Sequence, residues 1–157
     1  MDIATPGDVR LLEKGFSAGQ ALAAFARAHP LAGGIASFAG QVRPDAGVEM
    51  LELSHYAPLT ERGMVALADR ALARWELHGL LAWHRIGAML PGATIVLVAA
   101  AARHRRAAIE AVDFTMDHLK SEAWFWKREK RADGWHWVEP RDQDRVDLAR
   151  WKMTLRF

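Results

Sequence analysis

Two lysines bracket the densest aromatic cluster of the chain, in HLKSEAWFWKRE at residues 118–129. Lys120 comes near the end of a helix-like segment, and Lys127 directly follows Trp124-Phe125-Trp126. Either the aromatics are core and the lysines merely solvated, or the lysines border a pocket where ammonium groups meet something anionic. If 124–130 is a strand, Trp124, Trp126 and Arg128 share one face and Phe125, Lys127 and Glu129 the other. Lys127 then stands beside an aromatic ring rather than in a run of solvated charge. For Lys120 a plain alternative is strong, because a cation at a helix C-terminus is already favoured by the helix dipole.

A second group of cations, Arg103-His104-Arg105-Arg106, stands where an apolar strand should end and a helix begin. The free N–H groups of a helix start attract phosphate or carboxylate. Cations there oppose the dipole, so they either hold such an anion or reach into solvent and pair with an acid such as Glu110. Gly40-Gln41-Val42-Arg43 closes a Gly/Ala-rich stretch, and an arginine so placed can grip phosphate in two-pronged fashion or form a surface salt bridge. His55, His84, His118 and His136 are scattered without metal-ligand spacing, so no metal site is expected.

The elements that must position these groups follow from periodicity. Ser17 and Gln20 fit a capping box opening a short Ala-rich helix that Pro30 stops. Residues 33–43 read as a strand whose glycines imply a close backbone neighbour. Val48–Tyr56 is a further strand, with Leu51 and Leu53 on one face. From Thr60 to about Leu77, apolar residues at three- and four-residue spacing predict an amphipathic helix. Leu80–Ile86 and the nearly continuous apolar Thr94–Ala102 read as strands around a Pro91-Gly92 turn, the second of them central. A helix over about Arg105–Ser121 should bury Ala108, Ile109, Val112, Thr115, Met116 and Leu119. Trp124–Lys130 and Trp135–Glu139 flank Asp133-Gly134, a hairpin signal, and Asp142–Trp151 closes the chain as a short helix. Strand pairs separated by helices predict an α+β domain with a largely antiparallel sheet packed by helices.

The 157 residues suit one domain with a real core, and 51% apolar with 25% charged residues is ordinary for a soluble protein. A formal charge of +2 is weak support for nucleic-acid binding. The absence of cysteine removes disulfides, thiolate metal sites and a cysteine nucleophile. The start MDIATPGDVR lacks the build of a signal peptide. The apolar run at 93–102 is far short of the roughly 20 residues of a membrane-spanning helix, so a soluble, cytoplasmic protein is expected.

These stretches, in this order, resemble the catalytic (large) subunit family of molybdopterin synthase. The likeness runs from about Gly34 to Trp151 through SFAGQVR, LSHYAPLTER, HRIGAMLPGATIVLVAAAARHRRAAIEA, MDHLKSEAWFWKRE and WHWVEP. The first thirty residues and a possible tail at 152–157 carry little of it. The resemblance implies an α/β-hammerhead-like fold and a sulfurtransferase of molybdenum cofactor biosynthesis. Such an enzyme converts cyclic pyranopterin monophosphate to molybdopterin with sulfur from the C-terminal thiocarboxylate of a small ubiquitin-like subunit. It also implies a homodimer at the centre of a heterotetramer, with no resident cofactor, nucleic acid or membrane. By position, Lys120 and Lys127 match the family's active-site lysines, and Arg43, His104 and Arg105 match residues lining the substrate and phosphate pocket. Arg128 and Glu129 lie in its W-K-R-E motif, and Gln41 and Val42 in its G-K-V-R motif, where Gln41 replaces the common lysine. The rival reading is a non-catalytic anion or nucleic-acid binding module with Trp124 and Trp126 as stacking platforms.

Overall fold

The continuous apolar strand Thr94–Ala102 lies at the centre of the molecule, and the residues on its two faces explain the layers around it. The structure is a computed structural model that describes residues 6–45, 47–121 and 124–153. Its elements run β1 (Gly7–Leu12), α1 (Ala18–Ala28), β2 (Gly34–Gln41), β3 (Met50–His55), α2 (Leu59–Arg74), β4 (Gly79–Arg85), β5 (Gly87–Met89), β6 (Thr94–Ala102), α3 (Arg105–Ser121), β7 (Phe125–Arg131), β8 (Gly134–Val138) and α4 (Asp142–Met153). One sheet has the order β1-β4-β6-β2 and the other β5-β3-β7-β8. Among the described residues only the β1–β4 pairing is parallel.

Successive side chains of a strand point to opposite faces. Val96, Val98, Ala100 and Ala102 therefore pack with Leu80 and Ala82 against α2 and α3, while Leu97, Ala99 and Ala101 pack with Leu81 against Ala21 and Phe25 of α1. With both faces covered, β6 has no polar side to show, which is why it reads as an unbroken apolar run. The second sheet has a smaller core of Val42, Leu51, Leu53 and Met89. Phe125 packs against this core and against the larger one, joining the two.

The expected α+β architecture stands, with differences of detail. The antiparallel strands form two sheets, not one. β1 escaped the periodicity reading because Asp8 and Arg10 interrupt it; the two pair with each other at 2.9 Å, leaving Val9 and Leu11 against the core. α2 ends at Arg74 rather than Leu77 because Glu76 adopts φ 49°, a left-handed turn closed by Leu77 N–H donating to the Leu72 carbonyl. Ile109 is 56% exposed instead of buried. The covered stripe of α3 runs through Ala108, Ala111, Val112 and Thr115 and turns toward α2 and α4 through Phe114 and His118. α4 runs two residues beyond Trp151, through Met153, and residues 154–157 of the possible tail lie outside the described residues.

The glycines of β2 mark a close approach, as expected. A Cβ on Gly33 would lie 2.0 Å from the Arg103 carbonyl oxygen, and one on Gly34 would lie 3.2 Å from the Arg105 backbone. The start of β2 is thus pressed against the β6–α3 junction, where the arginine cluster sits.

Candidate active site

Lys120 occupies the last turn of α3 and Lys127 the third position of β7. The segment between them is fixed by a separate partner for each aromatic ring. Trp124 lies over Gly63 of α2, where a Cβ would come within 2.4 Å of the indole. Its carbonyl accepts from the Thr60 hydroxyl at 2.7 Å, and that hydroxyl accepts from Tyr56 N–H. Phe125 stacks on His84 with centroids 4.0 Å apart and planes at 15°. Trp126 packs against Tyr56 at 3.9 Å. None of the three rings is freely exposed, so the wall between the lysines is structural, and Trp124 and Trp126 are poorly placed as stacking platforms.

The other side of the site is α4. Arg150 bonds to Asp113 and to Asp117 (2.8 Å), and Trp151 Nε1 donates to Asp117 at 2.6 Å, which lays α4 along α3. At its start, Ser121 Oγ donates to the Asp144 carbonyl at 2.8 Å. The Asp144 carboxylate accepts from the backbone N–H and the guanidinium of Arg141 at 3.2 and 3.0 Å. The first turn of α4 is therefore held beside Lys120.

Although Lys120 stands at the surface, the protein crowded around it holds its amine below the usual lysine range. Partial desolvation is the main cause, followed by the charge of Lys127; Arg141 and Arg43 act in the same direction and Asp144 opposes them. One set of groups thus gathers Lys120, Lys127, Arg43, Arg141 and Asp144. His84 adjoins them, since its imidazole feels the Lys120 charge. Burial, assisted by that charge, lowers His84 from 6.5 to about 4, against a hydrogen bond to the Arg85 carbonyl. His84 is neutral at physiological pH.

This neutrality has a stability consequence. Between about pH 6.5 and 4 the unfolded chain binds a proton at His84 that the folded chain refuses. The contribution is complete above 6.5 and is lost as pH falls toward 4, on the order of 3 kcal/mol in all. His84→Phe, which keeps a ring against Phe125, should flatten that part of the acid denaturation curve. Urea midpoints measured across this pH range for both proteins check it.

The remaining candidates fall elsewhere. Arg43 is exposed and pairs with Asp45 at 3.6 Å. Gln41 ends β2 beyond a register shift and faces solvent. Val42 is a core residue of the second sheet, so it supports the loop without offering a side chain to a ligand. Arg128 pairs across the sheet with Glu52 of β3 at 2.9 Å and lies over Trp135 of β8, while Glu129 pairs with Arg131 of its own strand at 3.0 Å, so both side chains are engaged. His104 and Arg105 sit exposed at the start of α3. A rise of 1.5 Å per residue puts about 22 Å between Arg105 and Lys120. Glu110, the acid available to that cluster in the sequence, instead accepts from Trp75 Nε1 at 3.0 Å. His84, Arg141 and Asp144 were not singled out from the sequence. Arg141-x-x-Asp144 at a helix start is a readable capping pattern, but nothing local ties His84 to Lys120.

A lysine pair, with the Lys120 amine depressed and arginines at its border, thus sits together on this two-sheet fold. The chain belongs to the MoaE protein family, whose description matches residues 11–122. It is 44% identical over 146 residues to the molybdopterin synthase catalytic subunit of Ralstonia nicotianae, covering 91% of this chain and 83% of that one. The MoaE protein structure from Burkholderia ambifaria superposes with TM-score 0.79 at 38% identity, covering 93% of this chain and 98% of that one. A protein–protein complex of subunits 1 and 2 of molybdopterin-converting factor from Helicobacter pylori shares the fold (TM-score 0.75, 18% identity, 85% and 91% covered). The function that accompanies this membership is that of a molybdopterin synthase catalytic subunit, in molybdenum cofactor biosynthesis. No helix among the described residues is long and apolar enough to cross a membrane.

Proposed function

We propose that the cluster of Lys120, Lys127 and Arg43 is where the C-terminal thiocarboxylate of a small ubiquitin-like partner meets cyclic pyranopterin monophosphate. The observation that carries this reading is the depressed amine of Lys120, crowded by Lys127 and Arg43. Like charges in an empty site disfavour protonation, and an anionic tail or phosphate reverses part of that effect. The site is thereby tuned to anions.

Two routes use the same amine. As an ammonium, Lys120 stabilises the oxyanion that forms when water attacks the acyl carbon of a carrier tail already joined to the pterin through its sulfur; the acyl–sulfur bond then breaks, leaving a carboxylate on the carrier and a thiolate on the pterin. As a free amine, it attacks the glycyl carbonyl once the thiocarboxylate sulfur has bonded to the pterin, forming a lysyl amide as the acyl–sulfur bond breaks and leaving the thiolate on the pterin. Lys127, on the neighbouring strand, moves the proton on the pterin side chain. Arg43 holds anionic oxygen at the rim.

His104 and Arg105 belong to the same substrate only if two copies share it, since α3 separates them from Lys120 within one chain. Exposed apolar residues border the cluster: Ile109 on α3, and Ile35 and Phe38 on β2, the open edge of the first sheet. A two-fold pairing through this face would bring the anion-binding start of one α3 to the lysine end of the other copy. The complex of two subunits seen for the Helicobacter pylori protein supports a small partner as well.

The test is molybdopterin formation in a mixture of this protein, a thiocarboxylated cognate carrier and cyclic pyranopterin monophosphate. Product that depends on all three is expected. A carrier that binds with no product formed would leave an anion-binding protein with the fold but not the activity.

A further inference from the structure

Asp144 holds a buried carboxylate on an exposed helix, and its position is fixed from three directions. Its backbone carbonyl is tied to Ser121, the residue after Lys120, at 2.8 Å. Its side chain accepts from the backbone and guanidinium of Arg141. Arg150 and Trp151 lock the rest of α4 onto Asp113 and Asp117. A capping role at the start of α4 accounts for the bond to the Arg141 N–H. It does not account for the residue being 9% exposed beside the lysine end of α3.

The charged and titratable groups facing Lys120 come from every element around it: Lys127 from β7, Arg43 after β2, Arg141 and Asp144 from α4, and His84 from β4. Among these described groups Asp144 alone is a carboxylate. Glu129 lies on the same strand as Lys127 but pairs with Arg131, and Glu52 pairs with Arg128.

We propose that Asp144 is a positioning residue, the built-in counter-charge of Lys120, with Arg141 as the clamp that divides its charge between helix cap and lysine. This inference rests on reading Lys120 as the working amine of the site. It assigns α4, which contributes no group to the chemistry proposed above, the task of keeping that amine oriented and partly neutralised while the site is empty. When an anionic tail enters, it takes over as the partner of Lys120, and Asp144 falls back on Arg141.

The sign of each substitution follows. Asp144→Asn keeps an oxygen to accept from the Arg141 N–H but removes the charge, so the Lys120 ammonium loses its stabilising partner and titrates at lower pH. Arg141→Gln removes a neighbouring cation and frees the Asp144 charge, so Lys120 titrates at higher pH. A purely structural role for this turn would move both variants in the same direction or neither.

The experiment is competitive acylation of the intact protein with limiting acetic anhydride across the lysine titration range. Lys120 labelling is read by peptide mass spectrometry, with exposed Lys14 as reference, and the pH profile of molybdopterin formation is measured on the same samples. The expected result is opposite displacement of the Lys120 titration in the two variants, with thermal midpoints showing both folded, and a rate profile that follows it. Unmoved or same-direction titrations in folded variants overturn the counter-charge. Opposite displacement of the labelling curve with an unmoved rate profile upholds the pairing of Asp144 with Lys120 and overturns Lys120 as the working amine.

Discussion

Lys120→Ala should lower the rate of molybdopterin formation by about 10²–10³-fold, the loss typical of removing one preorganised stabiliser of developing charge, while the fold and the carrier complex persist. The structure explains why the two effects separate. Lys120 sits at the exposed end of α3 and supports no hydrogen bond among those described, so its removal costs about 0.3–1 kcal/mol through the helix dipole, together with its attraction to Asp144, which keeps Arg141 as a partner. Everything that holds the surrounding wall in place is made by other residues: Thr60 and Gly63 grip Trp124, His84 backs Phe125, and Ser121 ties down α4. Turnover assays beside thermal unfolding and carrier pull-down check the claim, and near-normal turnover would remove Lys120 from the chemistry.

The second large effect concerns the 17-residue length of α3. Arg105→Ala and Lys120→Ala should each be nearly inactive alone, yet a mixture of the two with exchanged subunits should recover about a quarter of the wild-type rate. With random pairing in a two-fold dimer, half of the dimers are mixed, and each mixed dimer has one complete site of two. Recovery requires that Arg105 serve the Lys120 of the other copy. If both residues acted within one chain, no mixed dimer would contain an intact site and the mixture would stay inactive. Differently tagged variants, co-expressed and purified through both tags, isolate the mixed dimers, for which the same reasoning predicts about half of the wild-type rate.

How far the sequence discloses this arrangement depends on the range of the forces involved. α2 and α3 are legible because a buried stripe repeats every three or four residues over four turns or more. β6 is legible because both of its faces are covered. The Gly-rich start of β2 even announces its close neighbour, though only the fold identifies it as the β6–α3 junction. β1 stays hidden because its partner, β4, lies some seventy residues away. Ile109 misleads because apolar character does not distinguish a core position from an exposed face. The site follows the same division. Lys120 and Lys127 stand out by their aromatic company, and family likeness joins Arg43 to them. His84 and Asp144 reach Lys120 only through tertiary packing, from β4 and α4. Conversely, His104 and Arg105 look like neighbours of the lysines by family position, yet within one chain they lie a helix-length away.

The central claim is that the carrier's terminal glycine is delivered to the lysine end of α3. It is tested most directly by giving the cognate carrier an electrophilic C-terminus and mapping the lysine it acylates. The chain offers Lys14, Lys120, Lys127, Lys130 and Lys152. Attachment at Lys120 or Lys127, suppressed by cyclic pyranopterin monophosphate or by unmodified carrier, is the predicted result. Saturable attachment at Lys14, Lys130 or Lys152 instead would place the tail elsewhere and contradict the account.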